Sequence, residues 1–138
     1  MSALPLSLWE IMASADGTPI IALIDDDDAV RESMRLLLEA FGYTIRDHSS
    51  AESFLASNLD TVDCLLVDQH MPAMTGVELL EHLHRNHASI PSLVVTGRTD
   101  QSVAARLSRI GIRMVSKPVP EEVLIAFIEE VCRPAKQQ

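Results

Sequence analysis

Positive charge is scarce in this chain: eleven Lys and Arg stand against twenty Asp and Glu, a formal net charge of −9. Contact with a phosphate backbone needs clustered Lys and Arg, and no basic stripe exists, so the balance argues against nucleic-acid binding. Cysteine is nearly absent. Cys64 and Cys132 fall in stretches that read as buried strand and helix, which suits reduced core thiols better than a disulfide framework and predicts a reducing, cytoplasmic setting. No apolar run approaches the roughly 20 residues that a membrane helix needs. The five glycines are isolated, so no glycine-rich nucleotide loop can be drawn. Ser33, Ser49 and Ser50 lack the His and Asp partners of a hydrolase triad.

What remains is a chain of 138 residues, 47% hydrophobic, long enough for one domain with a genuine core. Its first residues, MSALPLSLWEIMASA, loosely imitate a signal peptide. They carry no basic side chain, and Glu10 interrupts the apolar part, so export is rejected. Leu4, Leu8, Ile11 and Met12 stand at helical spacing around Trp9, which predicts an appended segment over 1–18, either a short helix or a frayed leader. Residues 133–138 read as a polar tail.

Between these ends the pattern alternates. Ile20–Ile24 is a short apolar run bounded by Pro19 and four aspartates, the mark of a buried strand. Asp28 is the expected cap of a helix through Phe41, with Val30, Met34, Leu37, Leu38 and Phe41 as its apolar stripe and Gly42 as its stop. Tyr43–His48 reads as an edge strand, and Ser49-x-x-Glu52 as a capping box opening a helix over 50–58. Strands at Cys64–Val67, Pro91–Thr96 and Ile112–Ser116 follow, alternating with helices at 76–87, 100–110 and 121–132. Five strands alternating with five helices predict a doubly wound α/β domain with a parallel sheet and right-handed crossovers.

In such a sheet, residues just past the strands converge on one edge. That edge would hold Asp25 and Asp26 from the first strand, Asp68 from the third, Thr96 from the fourth and Lys117 from the fifth. Asp68 alone could be a turn residue; its company changes the reading. Three carboxylates repel one another by about 4 kcal/mol per pair at 4 Å and an effective dielectric of 20. A divalent cation with oxygen ligands, Mg²⁺ before Mn²⁺, resolves the repulsion. Asp68 could then attack a phosphorus, with Lys117 and the Thr96 hydroxyl beside the equatorial oxygens.

IALIDDDDAVRESM, LLVDQHMPAMTGVELL, SLVVTG and MVSKPV together resemble the receiver domain of two-component response regulators, over roughly residues 19–132. SAESFL and MPAMTGVELL resemble the FixJ-like subset in particular. The resemblance implies a flavodoxin-like (CheY-like) fold with strand order 2-1-3-4-5. It implies Asp68 as phosphoacceptor, served by a histidine kinase or phosphotransfer protein, and a Mg²⁺ site of Asp25, Asp26, Asp68 and the backbone carbonyl of His70. Thr96 resembles the switch hydroxyl, and Lys117 the lysine that often precedes a cis peptide, here at Pro118. An effector domain or partner protein would read the state, and the fourth helix with strand five would offer the face of a homodimer.

Three departures accompany the match. Met114 occupies the position, three before the lysine, where the family usually carries an aromatic switch residue. Gly111 and Lys117 are six apart, one fewer than is common. His70 and Arg98, each two residues past Asp68 and Thr96, flank the path of hydrolytic water, which predicts slowed loss of the phosphoryl group. Two rivals follow. Asp26-x-Asp28 literally satisfies the motif of haloacid-dehalogenase-type phosphatases, but the later strands lack their acidic pair. An interaction module that binds without phosphorylation has no use for the acids, Thr96 and Lys117. His82, His84 and His87 read as a solvated helix face rather than a metal set.

Overall fold

A computed structural model describes residues 18–132; the segment expected as an appended helix and the polar tail lie outside them. Five parallel strands stand in the order β2-β1-β3-β4-β5: β1 (Ile20–Ile24), β2 (Thr44–His48), β3 (Cys64–Asp68), β4 (Ser92–Thr96) and β5 (Arg113–Ser116). The helices are α1 (Asp28–Ala40), α2 (Ala51–Leu55), α3 (Gly76–Arg85), α4 (Gln101–Arg109) and α5 (Glu121–Val131), with a 3₁₀ turn at Leu59–Thr61. The expected topology is observed. Strands β1, β3 and β4 are buried along their whole length, which is why their sequences read as unbroken apolar runs, while β2 and β5 form the half-exposed edges.

Alternate residues of each central strand feed two cores, one per face of the sheet. Ala22, Ile24, Leu65, Val67 and Val94 pack with Phe54 of α2, Leu80 and Leu83 of α3, and Leu107 of α4. Ile21, Leu23, Cys64, Leu66 and Leu93 pack on the other face with Leu38 of α1 and with Leu124, Phe127 and Ile128 of α5. Fully burying each Val, Leu, Ile or Phe among these contributes about 1.5–3 kcal/mol.

Local chemistry shifts several boundaries. The N-cap of α1 is Asp27, not Asp28: the Asp27 carboxylate accepts from the Val30 N–H at 3.0 Å, and Asp28 is the first helical residue, paired with Arg31. Likewise Ser50, not Ser49, caps α2 by accepting from the Ser53 N–H, so the expected capping box with Glu52 does not form. That helix ends at Leu55 rather than 58, because the Ser57 N–H and hydroxyl both donate to the Phe54 carbonyl and Asn58 caps the following 3₁₀ turn. Phe41 leaves the apolar stripe of α1: it is 50% exposed, at the C-cap, where the chain turns away through Gly42 at φ +94°. A capping box does open α3, where Thr75 and Glu78 bond each other's backbone N–H groups.

Candidate functional site

The carboxyl edge of the sheet is assembled by register. Ile24 lies beside Val67, Asp68 beside Val95, and Thr96 beside Ser116, so the residues that follow these strands arrive at one level. Asp25 is held there at both ends. Its N–H donates to the His48 carbonyl, its carboxylate accepts from the Asp27 N–H at 2.9 Å, and its carbonyl accepts from Arg31 at 2.6 Å. Arg31 also bonds Asp28 and Asp47, which ties the acidic loop to α1 and β2.

Asp68 is the last residue of β3 and is buried. The loop after it folds back closely. Gly76 donates its N–H to the Gln69 carbonyl, and the Gln69 side-chain oxygen accepts from the Val77 N–H at 2.9 Å. A Cβ on Gly76 would lie 2.7 Å from the Asp68 carbonyl oxygen, closer than real side chains come, so this return needs glycine. Neither Gln69 nor Gly76 was singled out by the motif, because their work depends on contacts seven and eight residues away along the loop. Arg31 was missed for the same reason.

One carboxylate oxygen from each of Asp25, Asp26 and Asp68 lies within 4.8 Å of the others, with Asp26 exposed and its two neighbours buried. Burial pushes the Asp25 carboxyl above the ordinary carboxylate range; the Asp27 N–H opposes this, and the Asp68 charge adds to it. Lys117 reaches into the cluster, its Nζ 2.9 Å from Asp68 Oδ1 and 3.6 Å from Asp25 Oδ2. Partial burial alone would lower the lysine pKa, but the hydrogen bond and charge of Asp68, with the charge of Asp25, outweigh it and hold the ammonium above its usual value. The Lys117–Pro118 peptide is cis. Three hard oxygen donors open to solvent on the Asp26 side suit a small divalent cation that keeps several waters, so the donor set fits Mg²⁺.

Thr96 ends β4 with its side chain buried. Its hydroxyl donates to the Arg98 carbonyl at 2.6 Å and accepts from the Arg98 N–H at 3.1 Å. Its one hydrogen is thus committed, so the contact of 3.1 Å with His70 Nε2 is one in which the imidazole donates. His70 is exposed but spans the gap between the β3 and β4 loops. Met114 is half-buried against the α3–α4 core together with Ile110 and Ile112. The structure brings Asp25, Asp26, Asp68 and Lys117 together, while Thr96 is bonded to His70 and to its own turn. Asp28 lies outside the acidic cluster, paired with Arg31. Among the described residues, this is the single group of three or more His, Cys, Asp or Glu that could hold a metal, so His82, His84 and His87 form no such set.

Comparison with known proteins agrees with this geometry. The family model of the response regulator receiver domain matches residues 21–129. The transcriptional regulatory protein FixJ of Rhizobium meliloti (strain 1021) is 38% identical over 111 residues, 79% of this chain and 54% of FixJ. The response regulator protein TodT of Pseudomonas putida (strain F1) is 31% identical over 126 residues, 90% of this chain and 56% of TodT. The chain therefore spans about half the length of these curated relatives. Among solved structures, FixJ-N superposes with a TM-score of 0.75 at 35% identity, covering 83% of this chain and 93% of that one. Response regulator StyR gives 0.78 at 31% identity, over 87% and 62% respectively. No helix among the described residues is long and apolar enough to cross a membrane. With its five-stranded CheY-like fold and acidic cluster, this chain belongs to the response regulator receiver domain family.

Proposed function

We propose that Asp68 accepts a phosphoryl group from the phosphohistidine of a histidine kinase or phosphotransfer protein, and that the resulting state changes how the domain meets a partner or an effector domain. The observation that carries this reading is the contact of Lys117 Nζ with Asp68 Oδ1 inside a triad of acids. A buried carboxylate at a strand end, with a cation beside it and two further acids in reach, has the makings of a nucleophile rather than of a helix cap.

In the transfer, a carboxylate oxygen of Asp68 forms a bond to phosphorus as the bond from phosphorus to the donor imidazole breaks, and the imidazole takes up a proton as it leaves. Asp25, Asp26 and Asp68, with the backbone carbonyl of His70, would hold a Mg²⁺ ion, and Mn²⁺ is the natural substitute. When bound, that ion supplies charge neutralisation and Lewis acidity at the phosphoryl oxygens. Lys117, released from sole pairing with the acids, offers its ammonium to one of the same oxygens. The Thr96 hydroxyl leaves the Arg98 carbonyl and His70 to donate to another. His70 and Arg98 then cover the approach of water and lengthen the life of the acyl phosphate. The domain would be a signalling element that catalyses only its own phosphorylation and dephosphorylation, over residues 19–132, in the cytoplasm.

Met114 cannot report the Thr96 movement by flipping an aromatic ring, so a signal must leave through the α4–β5 surface by another displacement. That surface is the homodimer face of the FixJ-like subset, and dimerisation on phosphorylation is the expected output. Treatment of the chain with acetyl phosphate or phosphoramidate and Mg²⁺, followed by intact-mass and peptide mass spectrometry, tests the reading. A stable phosphoryl adduct confined to Asp68 is expected. A folded chain that gains none would favour an interaction module that works without phosphorylation. Steady release of phosphate from generic monoesters would favour a phosphatase.

A further inference from the structure

Two of the three clustered acids leave β1 together, but they are secured unequally. Asp25 is buried and bonded through its N–H, its carboxylate and its carbonyl. Asp26 is exposed, and among the described residues its carboxylate makes no hydrogen bond or ion pair. Its place beside Asp25 and Asp68 therefore depends on the backbone that carries it.

That backbone is held by Arg31, which stands at the end of the first turn of α1 with its side chain 16% exposed. Its Nη1 donates to the Asp25 carbonyl at 2.6 Å, its Nη2 to Asp28 Oδ1 at 2.7 Å, and its Nε to Asp47 Oδ2 at 3.2 Å. The Asp25 carbonyl belongs to the planar peptide that joins Asp25 to Asp26, so holding that oxygen fixes where the Asp26 Cα stands. The carboxylates of Asp28 on α1 and Asp47 on β2 match the guanidinium charge and aim its remaining nitrogen at the carbonyl. A planar fork can serve three acceptors in different directions; the single nitrogen of an ammonium is far less suited to it.

We infer that Arg31 is a positioning residue for the cation site: by clamping the Asp25–Asp26 peptide, it holds the Asp26 carboxylate in register with those of Asp25 and Asp68. This role rests on the reading that the three acids hold Mg²⁺. Arg31 bonds none of those three carboxylates; its partners are a backbone oxygen, Asp28 and Asp47. Charge and position then make opposite demands. A guanidinium repels an arriving cation, so on charge alone its removal would tighten binding. On position, its removal frees Asp26 and weakens binding, since losing a residue that orients a metal ligand costs about 10–100-fold in affinity.

Calorimetric titration of the metal-free chain with Mg²⁺ alone decides between them, on wild type, Arg31→Met and Arg31→Lys, with each fold checked by circular dichroism. Arg31→Met is expected to bind at least about tenfold more weakly than wild type. Arg31→Lys, which restores the charge without the fork, should stay within about threefold of Arg31→Met. Equal or tighter binding by folded Arg31→Met overturns the inference. So does full wild-type affinity in Arg31→Lys, because one donor point would then suffice. A wild type that binds no Mg²⁺ overturns the cation site itself, and the role of Arg31 with it. Should neither variant fold, magnetic resonance of the isotope-labelled wild type carries the test. The Arg31 Nη protons should give separate signals, held apart by their fixed partners, with and without Mg²⁺. A single averaged signal, the mark of a freely turning guanidinium, overturns the inference.

Discussion

The two halves of the candidate site are built differently. On the β1–β3 side, Asp25 is fixed through its N–H, its carboxylate and its carbonyl, and Asp68 is fixed by a loop so close that only Gly76 fits. On the β4–β5 side, the Thr96 hydroxyl is engaged with its own turn and with an exposed His70, and Lys117 is shared between two acids. The first half is preorganised, which suits holding a cation and a nucleophile. The second half is engaged in bonds that can be exchanged, which suits a group that must change partners when a phosphoryl group arrives. The acids thus stand on fixed backbone, while Thr96 at the end of buried β4 and Lys117 just past the edge strand β5 hold bonds that can be exchanged.

Predictions sharpen that contrast. Removing the cation with a chelator, or one donor by Asp26→Asn, strikes the preorganised half, and the labelling rate of Asp68 should fall by about 100-fold or more. Stopped-flow or mass-resolved labelling measures it; a loss below about tenfold would mean that the acids are not cation ligands. Gly76→Ala should cost about 2–3 kcal/mol, because the added carbon meets backbone rather than a yielding side chain. Urea unfolding reads this cost, and an unchanged midpoint would show that the loop return is slack.

Asp25→Asn should act in the opposite direction and stabilise the metal-free protein by about 1 kcal/mol, since it removes a buried charge crowded by Asp68. The sign follows from linkage. The folded-state pKa of Asp25 is raised above 3.8, so its favourable contribution is complete below that value and is lost as pH rises through the folded value. The stability gap between variant and wild type should therefore widen from acid toward neutral pH without Mg²⁺ and shrink when Mg²⁺ is added. A gap independent of pH would contradict the assignment. The smallest effect is expected in the reporting half: His70→Ala should leave labelling intact and shorten the acyl-phosphate lifetime about threefold, some 0.7 kcal/mol of barrier. Unchanged lifetimes in both His70→Ala and Arg98→Ala would remove shielding from the account.

Strand ends were legible in the sequence because burial on both faces makes an apolar run stop abruptly, as Ile24, Val67 and Val95 do before Asp25, Asp68 and Thr96. Helix starts were read one residue late in α1 and one residue early in α2. A row of four aspartates and a Ser-Ser pair each offer two chemically equal caps, and only the backbone N–H they reach, Val30 or Ser53, selects one. The early end of α2 was hidden in Ser57, whose hydroxyl competes for the Phe54 carbonyl. Arg31, Gln69 and Gly76 carry no motif of their own, since each acts on backbone that another element brings near.

The central claim is that a preorganised acidic half makes Asp68 a phosphoacceptor. Its most direct test is parallel mass spectrometry of wild type and Asp68→Asn after incubation with acetyl phosphate and Mg²⁺. The account predicts one phosphoryl group on the wild type, carried by the peptide that contains Asp68, abolished in Asp68→Asn and absent when Mg²⁺ is chelated. Equal labelling of both proteins, or no labelling of a folded wild type, would contradict it.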